Sequence, residues 1–245
     1  MPSSPPTVLI TGSARRIGRA IALDLARAGW NVCVHYRRSA AEAEALVSEI
    51  VALGGAGAAI AGDLASQSDV ERLIPACTDA LGTPICLINN ASEFLLDTVE
   101  TVTPGTWDTH LDINLKAPVF LARALFLSLP EGATGNVINI IDQRVWKLTP
   151  DFFSYTISKA GLWTATRTLA QALAPRVRVN AIGPGPVLKS IHQTDADFAR
   201  EEQSTLLGRG PSPDEIAAAV RFILASPSLT GQMVALDGGQ HLTWG

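Results

Sequence analysis

The sequence predicts an α/β fold: one doubly wound domain with a seven-stranded parallel sheet and helices on both faces. Short β-branched segments alternate with longer amphipathic ones, which is the order expected of consecutive β–α units. Several of the short segments are apolar throughout, as strands buried on both faces are. The 245 residues suit one such domain, without internal repeats, linkers or a break in composition.

Composition and charge limit the classes of function that this protein could have. The chain is 47% hydrophobic and 17% charged, values typical of a globular enzyme. A net charge of −4, without a basic run longer than two residues, argues against nucleic-acid and membrane-surface partners. The first residues do not resemble a secretory leader, and no apolar run reaches 18 residues, so we expect a cytoplasmic protein. The three cysteines are interpreted as core thiols, and the histidines have no spacing typical of a metal site.

The first β–α unit predicts a phosphate site. Strand Thr7–Ile10 leads into a turn over residues 11–18 and then into an amphipathic helix, whose free N–H groups and dipole attract anions. The usual G-x-G-x-x-G spacing is absent, because Gly12 and Gly18 are five residues apart and Arg16 lies where a third glycine often does. An ordinary tight turn is the alternative.

The second strand, Asn31–Tyr36, ends in Arg37, Arg38 and Ser39. In dinucleotide-binding folds a carboxylate near this strand end binds the ribose 2′-hydroxyl, whereas arginine accommodates a 2′-phosphate. The absence of a carboxylate here predicts NADPH as the cofactor. A solvated basic turn is the alternative.

The third unit comprises a helix over 40–53, a strand over 58–62 and a helix over 66–81. Asp63 closes the strand. It is placed to accept a hydrogen bond from the adenine amino group, or else to cap the following helix.

The fourth strand, residues 85–88, ends in Asn89-Asn90-Ala91-Ser92-Glu93-Phe94. Amide side chains at the carboxyl end of a central parallel strand lie in the crevice where such sheets bind ligands. Phe94 is placed to stack on a planar ring, with core packing as the alternative.

A helix over 103–129 carries Asn114, and the fifth strand, 136–141, ends at Asp142. In the next helix, Tyr155 and Lys159 are four residues apart and share one face. An ammonium about 4 Å from the phenol favours phenolate by roughly 4 kcal/mol at a dielectric of about 20, before desolvation is subtracted. We therefore expect Tyr155 to exchange a proton near neutral pH.

The C-terminal part supplies a sixth strand over 178–182, a helix over 214–225 and a last strand over 233–236, which brings the total to seven strands and six helices. The polar, proline-bounded segment 186–211 is predicted to be a mobile flap over a pocket.

Together these motifs resemble the short-chain dehydrogenase/reductase family across essentially the whole chain. The matching positions are the turn over 11–18, Asp63, Asn89-Asn90-Ala91, Asn114, Tyr155 with Lys159, and Asn180 through Gly185. The resemblance implies a Rossmann-type fold, a homotetramer and cofactor contacts from a defined set of residues. That set is Gly12, Arg15, Arg16, Ile17, Gly18, Tyr36, Arg37, Arg38, Ser39, Asp63, Leu64, Asn90, Ala91, Tyr155, Lys159, Pro184, Gly185 and Val187.

One position departs from the family. Its catalytic serine should precede the tyrosine by thirteen residues, and that residue is Asp142. A serine hydroxyl donates to a substrate carbonyl, whereas an ionised aspartate only accepts. With Arg16, the His35–Ser39 sequence and the Asn90–Phe94 sequence, this aspartate resembles the pteridine reductases and the related dihydrofolate or dihydromonapterin reductases.

The subgroup resemblance implies reduction of a pterin-like C=N bond, with hydride from NADPH and a proton from Tyr155. Lys159 would hold the nicotinamide ribose and lower the pKa of Tyr155, Asp142 would orient the phenol, and Asn114 would tether a water. Substrate contacts are expected from Arg16, Ser92, Phe94, Asp142 and Tyr155.

Two other functions stay open. One is a carbonyl reductase for ketones or quinones, in which Asp142 is protonated. The other is an NADP-binding module without turnover.

Further candidates for the pocket wall, with packing as the alternative, are Trp146, Phe152, Leu188 and Trp244. The helix from Tyr155 to Ala174 is apolar around much of its circumference, which favours a subunit interface.

Overall fold

The computed structural model describes residues 4–190 and 193–244, and it confirms the predicted doubly wound sheet. Seven parallel strands lie in the order β3-β2-β1-β4-β5-β6-β7. The strands are β1 (Thr7–Ile10), β2 (Asn31–Tyr36), β3 (Gly57–Ala61), β4 (Cys86–Asn89), β5 (Gly135–Ile140), β6 (Val177–Pro184) and β7 (Met233–Leu236).

Helices cover both faces of the sheet. They are α1 (Arg16–Arg27), α2 (Ala40–Ala52), α3 (Gln67–Leu81), α4 (Pro104–Leu111), α5 (Ala117–Ser128), α6 (Phe153–Leu173), α7 (Asp195–Gln203) and α8 (Pro213–Leu224). The predicted helix over 103–129 is α4 and α5, joined by a π-helical turn, Asp112–Lys116.

The sequence prediction missed α7, which lies inside the segment 186–211. This helix has no buried residue, so it lacks the apolar stripe by which an amphipathic helix is recognised. Its start is fixed locally instead, because Thr194 and Asp197 form a capping box.

The strand order places a switch point beside β1. Ile10 of β1 is in register with Val34 of β2 on one side and with Ile88 of β4 on the other. The residues that follow these three strands therefore meet at one edge of the sheet, where open α/β sheets bind their ligands.

The core has one layer on each face of the sheet. Buried side chains of α1, α2 and α8 pack on one face, and those of α3, α5 and α6 pack on the other. Cys33, Cys77 and Cys86 are buried free thiols, as predicted. Within the described ranges, no helix is long and apolar enough to cross a bilayer.

Candidate active site

A cavity of about 840 Å³ opens at the carboxyl ends of the strands. All of the predicted cofactor-binding residues line it except Tyr36, and the predicted substrate residues Ser92, Phe94 and Asp142 line it as well. Tyr36 departs from the prediction because its side chain packs against the core cluster of α1 and α2. Strand ends that are far apart in the sequence thus converge on one site.

The two glycines of the turn let it pack closely against the residues that follow β4. Gly12 has a φ of +62°, and a Cβ there would lie 2.9 Å from Ala91 Cα. A Cβ on Gly18 would lie 2.6 Å from Asn90 Nδ2. Helix α1 has no side-chain cap, so its first N–H groups are not satisfied by a capping side chain at the cavity wall. This arrangement fits a dinucleotide pyrophosphate.

His35 holds this turn, a role that the sequence reasoning missed. Its Nδ1 accepts from the Gly12 N–H at 3.0 Å, and its Nε2 is 3.0 Å from the Gly62 carbonyl oxygen. Burial lowers the pKa of His35 to about 4, so the ring is neutral and Nε2–H donates to Gly62. The signal in the sequence was a histidine in an otherwise apolar strand.

Asn90 and Thr11 lock the turn to the end of β4. Asn90 Nδ2 donates to the carbonyls of Thr11 and Gly12 at 2.9 and 3.1 Å. Thr11 Oγ1 accepts from the N–H groups of Asn90 and Ala91 at 3.0 and 3.1 Å. The amide predicted to face the crevice therefore supports the turn.

The basic end of the cavity contains two arginines, of which one forms an ion pair and the other does not. Arg37 forms an ion pair with Glu93 at 2.7 Å. Among the described residues, Arg38 has neither an ion-pair nor a hydrogen-bond partner, and it lines the cavity beside Ser39. Arg38 therefore has the guanidinium that is available to a phosphate.

Arg16 connects the turn to the segment 186–211. Its guanidinium donates to the carbonyls of Leu188 and Lys189 at 2.9 and 3.0 Å. Its φ of +55° is left-handed, a conformation that non-glycine residues adopt at some energetic cost. Arg15, which also lines the cavity, forms an ion pair with Glu42.

Asp63 does not cap α3. Its Oδ1 accepts from the Ala65 N–H at 3.0 Å, and the cap is Ser66, whose side chain accepts from the Asp69 N–H. The helix-cap alternative for Asp63 is therefore wrong, and its carboxylate lies on the cavity wall.

Tyr155 and Asp142 form the central contact of the site. Tyr155 Oη donates to Asp142 Oδ2 at 2.8 Å, and Asp142 Oδ1 accepts from the Arg144 N–H at 2.8 Å. Burial and the charge of Asp142 raise the pKa of Tyr155 well above its usual value of 10. Both oxygens of the Asp142 carboxyl group are therefore engaged in hydrogen bonds.

Lys159 contacts the main chain rather than the phenol. Its Nζ donates to the Ile140 carbonyl at 2.9 Å and lies 5.7 Å from the centroid of the Tyr155 ring. Burial lowers the pKa of Lys159 to about 8. The expectation that Lys159 lowers the pKa of Tyr155 is not met in this structure: burial and the Asp142 carboxylate raise that pKa, and the cation that opposes them is Arg144.

Asn114 lies behind the cavity, in the π-helical turn. Its Oδ1 accepts from Ser92 Oγ at 3.1 Å and from the Glu93 N–H at 2.9 Å. Its Nδ2 donates to the Glu93 carbonyl at 3.0 Å and to Ser158 Oγ at 3.1 Å. The side chain is thus committed to protein partners and holds the loop that follows β4.

An aromatic pair forms the wall next to Tyr155. The rings of Phe94 and Phe152 are stacked, with centroids 4.1 Å apart, and the Tyr155 ring meets Phe94 edge-on at 4.7 Å. The Arg144 guanidinium lies 5.1 Å from the Phe152 centroid. Phe152 has a φ of +55°, so both described non-glycine residues with left-handed backbone, Arg16 and Phe152, are on this cavity.

Of the four further residues predicted for the pocket wall, two line the cavity and two do not. Phe152 and Leu188 line the cavity. Trp146 instead packs edge-on against Trp163 and His241, and Trp244 is 94% exposed.

Fold and site together define a dinucleotide-dependent oxidoreductase. The chain belongs to the short-chain dehydrogenase/reductase family, whose members use NAD(P)H. The family model described as "Enoyl-(Acyl carrier protein) reductase" matches residues 12–241. A curated relative, the 3-oxoacyl-[acyl-carrier-protein] reductase of a Synechocystis strain, is 32% identical over 94% of this chain and 95% of its own length.

Two solved structures are more similar in sequence. "FolM Alternative dihydrofolate reductase 1" from Brucella suis, solved with NADP, is 50% identical with a TM-score of 0.96 and covers 100% of this chain and 98% of its own. The Brucella canis protein of the same description, also solved with NADP, is 49% identical with a TM-score of 0.93 and covers 98% and 96%.

Proposed function

We propose that this protein reduces a pterin-like C=N bond with NADPH, on a substrate of the dihydropteridine or dihydrofolate class. The observation that carries the proposal is the 2.8 Å hydrogen bond from the Tyr155 phenol to the Asp142 carboxylate. A carboxylate cannot donate to a substrate carbonyl, but it can hold a phenol that gives its proton to nitrogen. The similarity to two proteins described as dihydrofolate reductases supports this choice of substrate.

The nicotinamide supplies hydride when it is bound, and Tyr155 supplies the proton. The phenol is protonated at neutral pH, which is the form that a proton donor needs, but its raised pKa makes it a weak acid, so bound cofactor and substrate must lower that pKa for the transfer. The phenol has a single hydrogen, so this hydrogen turns from Asp142 Oδ2 to the substrate nitrogen for the transfer, and a proton from solvent, relayed by Asp142, then restores the phenol. Lys159 would hold the nicotinamide ribose, and Asn114 holds the loop that carries Phe94.

The preference for NADPH rests on Arg38 and Ser39. Arg37 is neutralised by Glu93, so Arg38 is the guanidinium that we expect to bind the 2′-phosphate. A planar pterin would lie against the Phe94 ring, beside Ser92 and Arg16, and residues 186–190 and 193–211 would cover it; residues 191 and 192 of the predicted flap lie outside the described part of the chain.

Steady-state kinetics test the proposal. NADPH oxidation is measured with dihydrobiopterin, dihydrofolate and dihydromonapterin, and in parallel with 3-oxoacyl thioesters, simple ketones and quinones. Tyr155→Phe should abolish pterin-dependent oxidation and leave NADPH binding intact. Undiminished turnover by this variant would refute the assignment.

A carbonyl reductase is the second candidate, favoured by the 30–32% identical 3-oxoacyl-[acyl-carrier-protein] reductases. It requires a protonated Asp142 that donates to the carbonyl. In that state the Asp142 hydroxyl would donate from Oδ2, which lies 2.8 Å from Tyr155 Oη, while Oδ1 would still accept from the Arg144 N–H. Faster turnover of an oxoacyl thioester than of any pterin would favour it, and tight NADPH binding without any turnover would favour a binding module.

A homotetramer is also part of the proposal. Phe120 on α5 and Ile157 on α6 are 39% and 37% exposed, so both helices present large apolar side chains at the surface of the single subunit, where a partner subunit would cover them. Light scattering at several concentrations tests the assembly, and a monomeric mass would contradict it.

A further inference from the structure

Three buried polar side chains lie behind the aromatic wall, and none has a role in the chemistry above. Asp97, Ser154 and His110 are 1%, 0% and 0% exposed. The Ser154 hydroxyl donates to Asp97 Oδ2, and the Ser154 N–H donates to Asp97 Oδ1 at 3.1 Å. His110 Nδ1 is 2.6 Å from Ser154 Oγ, and His110 Nε2 accepts from the Leu95 N–H at 3.0 Å.

The donor and the acceptor in each of these hydrogen bonds can be assigned. The Leu95 amide can only donate, so His110 Nε2 is unprotonated and the ring proton is on Nδ1. Nδ1–H then donates to Ser154 Oγ, whose own proton goes to Asp97, because a carboxylate can only accept. Burial lowers the pKa of His110, which agrees with a neutral ring.

The chain of hydrogen bonds joins the two sides of the substrate wall. Leu95 directly follows Phe94, and Ser154 directly precedes Tyr155. The His110 ring also packs edge-on against the Tyr155 ring, with centroids 6.0 Å apart. The same three side chains therefore connect the residue after the stacking ring with the residue before the proton donor.

We propose that Asp97, Ser154 and His110 are positioning residues that hold Phe94 against Tyr155 and so set the affinity for the planar substrate. They act through Leu95 and through the start of α6 and do not line the cofactor cavity. The effect on substrate affinity rests on the proposed function, whereas the direction of the chain does not.

Asp97→Asn tests the direction. The new amide would use its oxygen for the Ser154 N–H and its NH₂ for Ser154 Oγ, so the hydroxyl would donate to His110 Nδ1. His110 would then carry its proton on Nε2, opposite the Leu95 N–H. Nitrogen-15 NMR should show Nδ1–H in the wild type and Nε2–H in the variant, with faster hydrogen exchange at Leu95. An Nε2–H or doubly protonated His110 in the wild type overturns the proposal.

Two substitutions of His110 test the consequence for the substrate. Glutamine places its amide oxygen near the former Nε2 and keeps an acceptor for Leu95, whereas asparagine reaches only the former Nδ1 position. KM for the dihydropterin should rise about tenfold in His110→Asn and Asp97→Asn and stay within about threefold in His110→Gln. In all three variants kcat should change less than about threefold, with NADPH affinity unchanged. Ser48→Ala, on the outer side of α2, is the control.

The outcomes separate this inference from the proposed function. An unchanged KM in His110→Asn, or an equal loss in His110→Gln, overturns the positioning role. If the wild type reduces no pterin, the proposed function fails, and Leu95 exchange decides the inference instead, because an unchanged exchange rate in His110→Asn overturns it.

Discussion

Lys159→Met should make the protein more stable at neutral pH while removing its activity. Lys159 is 2% exposed, and burial lowers its pKa from the usual 10.5 to about 8. At about 1.4 kcal/mol for each pKa unit, holding this charge in the folded state costs roughly 3 kcal/mol at pH 7. Losing the hydrogen bond to Ile140 offsets about 1 kcal/mol of that gain. We therefore expect a net stabilisation of about 2 kcal/mol, or about 4–8 °C in Tm.

The pH dependence of stability is a second test of whether burying the Lys159 charge destabilises the fold. Between pH 8 and 10.5 the unfolded chain holds more protons on this lysine than the folded chain does, so wild-type stability from this group rises with pH. The advantage of Lys159→Met should be full below pH 8 and disappear by about pH 10.5.

Cofactor-free protein is measured by calorimetry from pH 6 to 10, with Lys116→Met as the matched control. Lys116 is 49% exposed and pairs with Asp112 at 3.1 Å, so its replacement should change stability by less than about 1 kcal/mol. A Lys159→Met variant that is less stable than the wild type, or a difference that does not depend on pH, would refute the reasoning.

Two further predictions concern the cofactor half of the site. Because the pKa of His35 is lowered from 6.5 to about 4, the unfolded chain binds the extra proton first. Roughly 3 kcal/mol of stability should therefore be lost between pH 6.5 and 4, and denaturant titrations should show no such loss in His35→Gln. Arg38→Ala should weaken NADPH binding about 10- to 100-fold and NADH binding little, with a smaller effect from Arg37→Ala, which is already paired with Glu93. Calorimetric Kd values check this, and equal losses for both cofactors in Arg38→Ala would contradict it.

The fold and the cavity wall were accessible from the sequence for a geometric reason. Parallel strands end at one edge of the sheet, so the residues after β1, β2, β4, β5 and β6 must meet there. Apolar strand patterns and the turn after Thr7–Ile10 were sufficient to locate that edge. The resemblance to the family, whose catalytic serine precedes the tyrosine by thirteen residues, then pointed to Asp142 as the partner of Tyr155, and the two are in contact.

The parts that escaped prediction depend on distant neighbours. Ser154 meets Asp97 and His110 across 57 and 44 residues, and no local pattern reports those contacts. The four-residue spacing of Tyr155 and Lys159 suggested an ammonium beside the phenol. The ammonium instead donates a hydrogen bond to the carbonyl of Ile140 in β5. Helix α7 was missed because its exposed faces carry no hydrophobic periodicity.

On the proposed function, a carboxylate at position 142 commits Tyr155 to protonating a substrate nitrogen. The most direct measurement compares kcat/KM for a dihydropterin and for a 3-oxoacyl thioester in the wild type and in Asp142→Ser. We expect the wild type to prefer the dihydropterin, and the variant to lose about 100-fold or more on it while gaining activity on the thioester. A wild type that prefers the thioester, or a variant that retains its pterin activity, would contradict the account.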